Sequence, residues 1–436
     1  MRPWSMVTTA QPGTRQDVAW AAAREFAHAA AEPAPPERVP LAAAAGLVLA
    51  EELLAATPLP AFDTSAMDGY AVAGTGPWRV VGVARAGRSW PGARLAPGCA
   101  VEISTGAVVP PGARAVLPVE VALRTGGGAD GGPGGGTGDG PGSGPGDGAG
   151  DGAGGGPGGG AGDLVSGPEL PDGRHVRAAG EDAGAGERLA HAGTPVGPAL
   201  IGLAATCGYD ELLVRGRPVV RAVVTGDELA RSGVPAPGTV RDALGPLLPS
   251  LIAGLGGEPA GLVHVPDHPE TALWRAVEAA GDADVVVVTG STSVGTTDGL
   301  RRLLAAHDAE WIVDAVACRP GHPQLLARPR GGPYVVGLPG HPFAALAAAH
   351  TVLGPLLAGL SGRPLAALPR MPLTVPVRPA PGRTRIVPVV WDGDGVRPLG
   401  GDRPAFLNGA ALGDALAAVP EDARPGGPVP LVLLRA

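Results

Sequence analysis

The chain has 436 residues, a formal net charge of -8 and a pI near 5.6, which argues against a nucleic-acid binder with its usual basic face. Hydrophobic residues make up 44% and aromatic residues only 3%, so any core is packed from Ala, Val and Leu, and the length suits about three domains. All 33 basic residues are Arg and Asn408 is the sole Asn, a bias expected of GC-rich coding.

Cys99, Cys207 and Cys318 lack metal-ligand or disulfide spacing and read as free thiols in a reducing compartment. The N-terminus has no signal-peptide pattern and no stretch reads as membrane-spanning, so a cytoplasmic location with no membrane partner is expected.

In chain order, residues 1–13 read as a tail. Thr14 to Ala31 has helical spacing, with Thr14 as cap and Asp17 in the first turn. A second helix is expected over Leu41 to Ala55. Then comes Pro58 to Val72, which sets Asp63, Ser65, Asp68 and Tyr70 close together in a loop. Short apolar runs separated by Gly and Pro from Trp78 to Glu120 predict a small β domain. Thr125 to Asp163 is almost wholly Gly with small polar residues, which predicts disorder.

Order resumes near His175. A helix is expected over Pro195 to Ala205 and a strand over Glu211 to Val214. Strands at Val219–Val224, Gly261–Val265, Asp284–Thr289 and Tyr334–Leu338 then alternate with helices at Asp242–Gly254, Pro269–Ala280 and Phe343–Leu360. That alternation predicts a three-layer α/β domain with a mostly parallel sheet. Strands at Leu373–Val377, Arg385–Val390 and Val429–Leu434 predict a small C-terminal β domain.

Three of the α/β strands end in small-residue loops with polar groups: Thr225-Gly-Asp227-Glu228, Gly290-Ser-Thr-Ser-Val-Gly295 with Asp298, and Leu338-Pro-Gly-His-Pro342. Ligands of open α/β sheets bind beyond the carboxyl ends of the strands, and Gly lets amides approach an anion. Asp227, Glu228 and Asp298 would repel a bare phosphate. They make sense with Mg²⁺ bridging carboxylate and phosphate, Asp227 and Asp298 being its candidate ligands. Ser291, Thr292 and Ser293 supply hydroxyl donors.

Taken together, the motifs resemble the MoeA/gephyrin E-domain family, the molybdopterin molybdenumtransferases. The resemblance rests on Leu59-Pro-Ala-Phe-Asp-Thr-Ser-Ala-Met-Asp-Gly-Tyr-Ala-Val72, Ile103-Ser-Thr-Gly-Ala107 with Pro110 and Gly112, and Gly180-Glu-Asp182. It continues through Thr225-Gly-Asp-Glu-Leu229, Ser293-Val-Gly295 with Asp298, Arg319-Pro-Gly-His-Pro323 and Leu338-Pro-Gly-His-Pro342.

It implies a four-part subunit that forms a homodimer. A MogA-like α/β molybdopterin-binding part would take residues 14–32 plus 217–362, and a linker and dimerisation part 33–57 plus 180–216. A β-rich arm would span 58–179 with the insert 125–163, and a small β domain 363–436. The implied reaction joins adenylylated molybdopterin and molybdate, releasing AMP with Mg²⁺. The Asp68 loop would reach the partner subunit's cleft.

The resemblance gives catalytic places to Asp68, Glu228 and Asp298. It gives substrate-binding places to Thr105, Asp227, Gly290, Ser291, Ser293, Gly295, Arg319, His322, Gly340 and His341, while Asp63 and Ser65 would shape the loop. The chain departs from the family at Arg114 (usually acidic), Leu244 and His341 (usually Asn), Ser291 (usually Gly), and Arg319 and His322 (usually Lys). Two functions stay open on this ground: an active transferase, or a catalytically impaired homologue that binds pterin or serves as a scaffold.

Overall fold

A computed structural model describes residues 16–88, 90–125, 163–269, 271–292, 299–424 and 426–434. The chain divides into two compact units, Leu54–Leu189 and the remainder.

In the larger unit, four parallel strands lie side by side in the order Glu258–Val265, Val219–Thr225, Val285–Thr289, Tyr334–Leu338. Leu325–Arg328 and Glu310–Arg319 extend the sheet antiparallel. Side chains alternate faces along a strand. Val285 and Val287 therefore enter one core, with Trp20, Leu248, Ile252 and Val352, while Val286 and Val288 enter the other, with Leu273, Val277, Leu300 and Leu304. All four valines are fully buried. This is why the run is continuously apolar, and each contributes about 1.5–3 kcal/mol by burial.

The helical rod Pro342–Leu360 has the length and apolarity of a membrane span, but 78% of its apolar window is buried within the fold. Its middle, Ala349–Leu353, is a π turn. There Thr351 Oγ1 donates to Ala347 O at 2.7 Å and accepts from Trp20 Nε1 at 3.0 Å.

The N-terminal segment departs from expectation. Gln16–Ala19 is a strand paired in parallel with Glu310–Arg319, and the helix begins only at Trp20. Asp17 is at φ 50°, not in a helical first turn. The edge of a ten-residue strand offers a ladder of hydrogen bonds that outweighs weak helix propensity.

The helix expected over Leu41 to Ala55 is absent. Leu41–Ala43 is a single 3-10 turn, and Val48–Leu49 pairs antiparallel with Glu211–Arg215. Alanine's helix preference is a few tenths of a kcal/mol per residue, and sheet pairing overrides it. The Leu373–Val377 strand is likewise displaced to Arg370–Pro372, paired with Pro428–Leu433. The C-terminal strand Thr384–Asp392 joins the main sheet through Cys318↔Thr384 and Arg319↔Arg385.

The smaller unit is built on a six-stranded sheet, in the order Leu123–Thr125, Leu164–Ser166, Trp78–Ala84, Cys99–Ile103, Gly69–Val72, Ala115–Pro118. The expectation of disorder falls mostly on 126–162, outside the described residues. Its flanks are ordered. Thr125 pairs with Leu164, and Arg124 forms an ion pair with Asp163. The insertion thus leaves and re-enters at one sheet edge.

Candidate functional site

In the smaller unit the polar loop is shaped by its own side chains. Asp63 Oδ1 accepts from Ala179 N at 2.8 Å. Ser65 is buried, and its Oγ donates to Met67 O at 2.6 Å. Tyr70 is buried within the sheet and serves the core.

Asp68 stands exposed just before the Gly69–Val72 strand. Gly69 is required there, since a Cβ would lie 2.0 Å from Leu117 O. Asp68 Oδ1 accepts from Thr105 N at 2.6 Å and from Thr105 Oγ1 at 2.9 Å. The amide and then the hydroxyl hold the Asp68 carboxyl below its ordinary range. Slight desolvation opposes them and the Arg85 charge assists. The two residues the sequence marked here, Asp68 and Thr105, therefore form one fixed anionic group. It opens on a cleft of about 420 Å³ lined by Tyr70, Arg85, Glu102, Ser104 and Val119 among others.

In the larger unit, the strand ends converge on Thr225. Its Oγ1 donates to Thr289 O at 2.9 Å and meets Ser291 Oγ at 3.1 Å. Ser291 and Thr292 are buried, so Ser291 ties two strand ends together. Gly290 has φ +97°, and a Cβ on it would lie 2.6 Å from Thr225 Oγ1. Gly340 lies beside Gly290, where a Cβ on it would make an ordinary contact of 3.4 Å with Gly290 Cα. Ser293, Gly295 and Asp298 lie outside the described residues.

Asp227 is joined by a residue that sequence reasoning missed. Asp227 Oδ1 accepts from Asp267 N, and Asp267 Oδ2 accepts from Asp227 N, both at 3.3 Å. The signal was Pro266-Asp267-His268-Pro269, a fourth polar loop at the end of a parallel strand. Glu228 is exposed beside Asp227.

Arg319 is exposed at the end of its strand, and His322 Nε2 lies 3.2 Å from Asp17 Oδ1. Their loop is positioned by two buried residues also missed. Gln324 Nε2 donates to Gly321 O at 2.8 Å, and Cys318 Sγ donates to Pro320 O at 3.3 Å. Burial pushes the Cys318 thiol up to about 12, so it keeps the proton it donates.

His341 is exposed at the start of the Pro342–Leu360 rod. Pro342 has no amide hydrogen, and the amides of Phe343 and Ala344 donate to Pro404 O at 2.8 and 3.1 Å. Those two donors are thus already engaged by the C-terminal domain.

Family models cover most of the chain in the same order as these elements. They are the MoeA N-terminal region (domain I and II) over 18–208, a probable molybdopterin binding domain over 221–359, and the MoeA C-terminal region (domain IV) over 370–434. Molybdopterin molybdenumtransferase 2 of Mycobacterium tuberculosis is 33% identical over 333 residues, 72% of each chain. The molybdopterin molybdenumtransferase of Synechococcus elongatus is 30% identical over 332 residues, 73% of each. The chain belongs to the MoeA family. The fold agrees: a MoeA protein from Pyrococcus horikoshii superposes with a TM-score of 0.73, covering 96% of this chain and 100% of its own, at 20% identity.

Two departures from the MoeA pattern acquire a structural account. Arg114 is drawn to the segment that returns from the insertion: its Nη2 donates to Leu170 O, and it lies 3.7 Å from Glu169 and 3.6 Å from Asp172. A basic residue suits that acidic neighbourhood. Leu244 is buried at the start of the Leu244–Gly254 helix, a core position.

That helix start is held by Asp242 instead. Its Oδ1 accepts from the amides of Leu244 and Gly245 at 2.9 Å each, and its Oδ2 meets His264 Nε2 at 2.8 Å. Burial pushes Asp242 up, but the Gly245 amide, His264 and the Leu244 amide outweigh it and keep the carboxyl below its ordinary range.

For Mg²⁺, the donor set at the strand ends is wholly carboxylate oxygen, the class that ion prefers. Among the described residues no three such side chains converge on one point. Asp227 and Asp267, each accepting from the other's backbone amide, supply two carboxylates on adjoining loops, which fits an ion that keeps waters and substrate oxygens as its other ligands.

Proposed function

We propose that this MoeA-family chain inserts molybdate into adenylylated molybdopterin and releases AMP. The observation that carries this is Asp68, kept ionised by two donors from Thr105 on the wall of an open cleft. The dithiolene thiols of the pterin displace oxygens of molybdate, which leave as water with the thiol protons, while water attacks the phosphoanhydride, leaving phosphate on the pterin and releasing AMP. Asp68 orients the reacting group, and Thr105 fixes Asp68.

The strand-end loops hold the pterin and its phosphates. Gly290 and Gly340 bring backbone close to the ligand, while Arg319 supplies positive charge and His322 an imidazole for hydrogen bonding. Asp227, Asp267 and Asp298 would hold Mg²⁺, which would offset the phosphoanhydride charge. The active form is a cytoplasmic homodimer in which the Asp68 loop of one subunit completes the partner subunit's strand-end site.

Active rather than impaired catalysis is supported by where the departures fall. Arg114 ties down the segment after the insertion, Leu244 packs in the core, and Asp68, Thr105, Asp227 and Glu228 are all present. The test is reconstitution from purified protein, adenylylated molybdopterin, molybdate and Mg²⁺. Stoichiometric AMP and molybdenum cofactor are expected. Substrate that binds without AMP release would refute catalysis.

A further inference from the structure

We propose that Arg85 is an oxyanion-binding residue of the Asp68 cleft, with Glu102 as its displaceable internal counter-ion. This rests on the function proposed above.

Arg85 directly follows the Trp78–Ala84 strand, whose register sets Val83 beside Glu102 and Ala84 beside Ile103. Both Arg85 and Glu102 line the cleft with Asp68, and Arg85 is the cation among the lining residues. Arg85 Nη2 donates to Glu102 Oε1 at 2.5 Å. The side chains are 50% and 31% exposed, so the pair is accessible to a ligand. The turn after Arg85 is pinned, since Ala86 N donates to Ser104 Oγ at 3.2 Å.

An ion pair this exposed adds little to stability, so the fold does not depend on it. It does hold a guanidinium in place beside Asp68. A guanidinium carries five N–H donors in a planar fork, and the contact with Glu102 uses only Nη2. A tetrahedral oxyanion matches the fork bidentately and competes with Glu102 for it. Binding is then an exchange of one anionic partner for another: the guanidinium stays paired throughout, and the displaced Glu102 carboxylate, 31% exposed, turns to solvent. Two anions of the reaction have this chemistry, molybdate and the phosphate of the adenylyl group.

Equilibrium dialysis of the full-length protein against molybdate, and separately against AMP, tests this on wild type, Arg85→Ala, Arg85→Lys and Glu102→Gln. Arg85→Ala is expected to weaken one of the two anions about tenfold, and which one identifies the source. Arg85→Lys keeps charge without the fork and recovers part of the loss. Glu102→Gln removes the competitor and tightens binding of the same anion.

Opposite shifts for Arg85→Ala and Glu102→Gln separate an anion site from a merely structural ion pair, whose two variants would behave alike. Unchanged affinity for both anions in Arg85→Ala, or parallel shifts in the two variants, would overturn the proposal. Arg85-dependent binding by a protein that releases no AMP in the reconstitution would sink the proposed function and leave this inference standing. An active enzyme with no Arg85 dependence would do the reverse.

Discussion

Among the described glycines of the strand-end loops Gly290 makes the closest approach, and replacing it with Ala has a calculable cost. The new Cβ would lie 2.6 Å from Thr225 Oγ1 and 2.8 Å from Thr225 O, and the second of these is backbone that cannot rotate away. An L side chain at φ +97° adds about 1–2 kcal/mol of backbone strain. Overpacking a tight site adds about 1–3 kcal/mol. The sum is about 2–5 kcal/mol, a drop of roughly 4–20 °C in the melting transition of a domain this size.

Gly340→Ala is the internal control. Its Cβ would meet only Gly290 Cα, at 3.4 Å, an ordinary contact. A shift below about 1 kcal/mol is expected there, as for a substitution that builds no clash. Calorimetry of the two variants against wild type reads both values. A Gly290→Ala protein as stable as Gly340→Ala would show that Gly290 is not held by close approach.

Asp242→Ala removes a carboxylate that receives two helix-start amides and His264, and is expected to cost about 2 kcal/mol in urea unfolding. Arg114→Ala cuts the tie to Leu170 and should cost about 1–2 kcal/mol, whereas a purely solvated Arg114 would cost nothing measurable. His350 is pushed down to about 4 by burial and then by the Arg24 charge, so the fold favours its neutral form. Its contribution is complete above pH 6.5, the unfolded value, and is lost as pH falls through the folded value near 4. The expected loss between those limits is about 3 kcal/mol, and His350→Gln should remove that part of the pH dependence of unfolding.

The sequence was most informative where one local rule decided the outcome. Val285–Thr289 and Tyr334–Leu338 read as strands because both faces are buried, and their glycine-bearing ends singled out two of the candidate loops. It was least informative where distant partners decide. Leu41 to Ala55 is locally helical in composition, but its pairing partner, Glu211–Arg215, lies far along the chain. The Glu310–Arg319 strand drew no expectation, since it mixes charged, small and apolar residues and gains its ladder from Gln16–Ala19 and Leu325–Arg328.

The site divides in the same way. Asp68 and Thr105 stood out by motif, yet their contact spans 37 positions and only the fold brings them together. Asp267 was overlooked because its loop lacks the glycines that flagged the other three. Arg114 looked like a lost acidic group because its partners come after the insertion, Leu170 lying 56 positions away.

Complementation between two inactive variants tests the composite site most directly. Asp68→Asn and Asp227→Asn are each expected to lose cofactor synthesis by about 100-fold or more, with unchanged melting temperatures. When the two are co-expressed, random pairing makes half the dimers mixed, and each mixed dimer keeps one intact site. Cofactor and AMP formation should then recover to about one quarter of wild type. If the mixture stays as inactive as its parents, Asp68 and Asp227 do not meet across two subunits, and the dimeric site proposed for this chain is wrong.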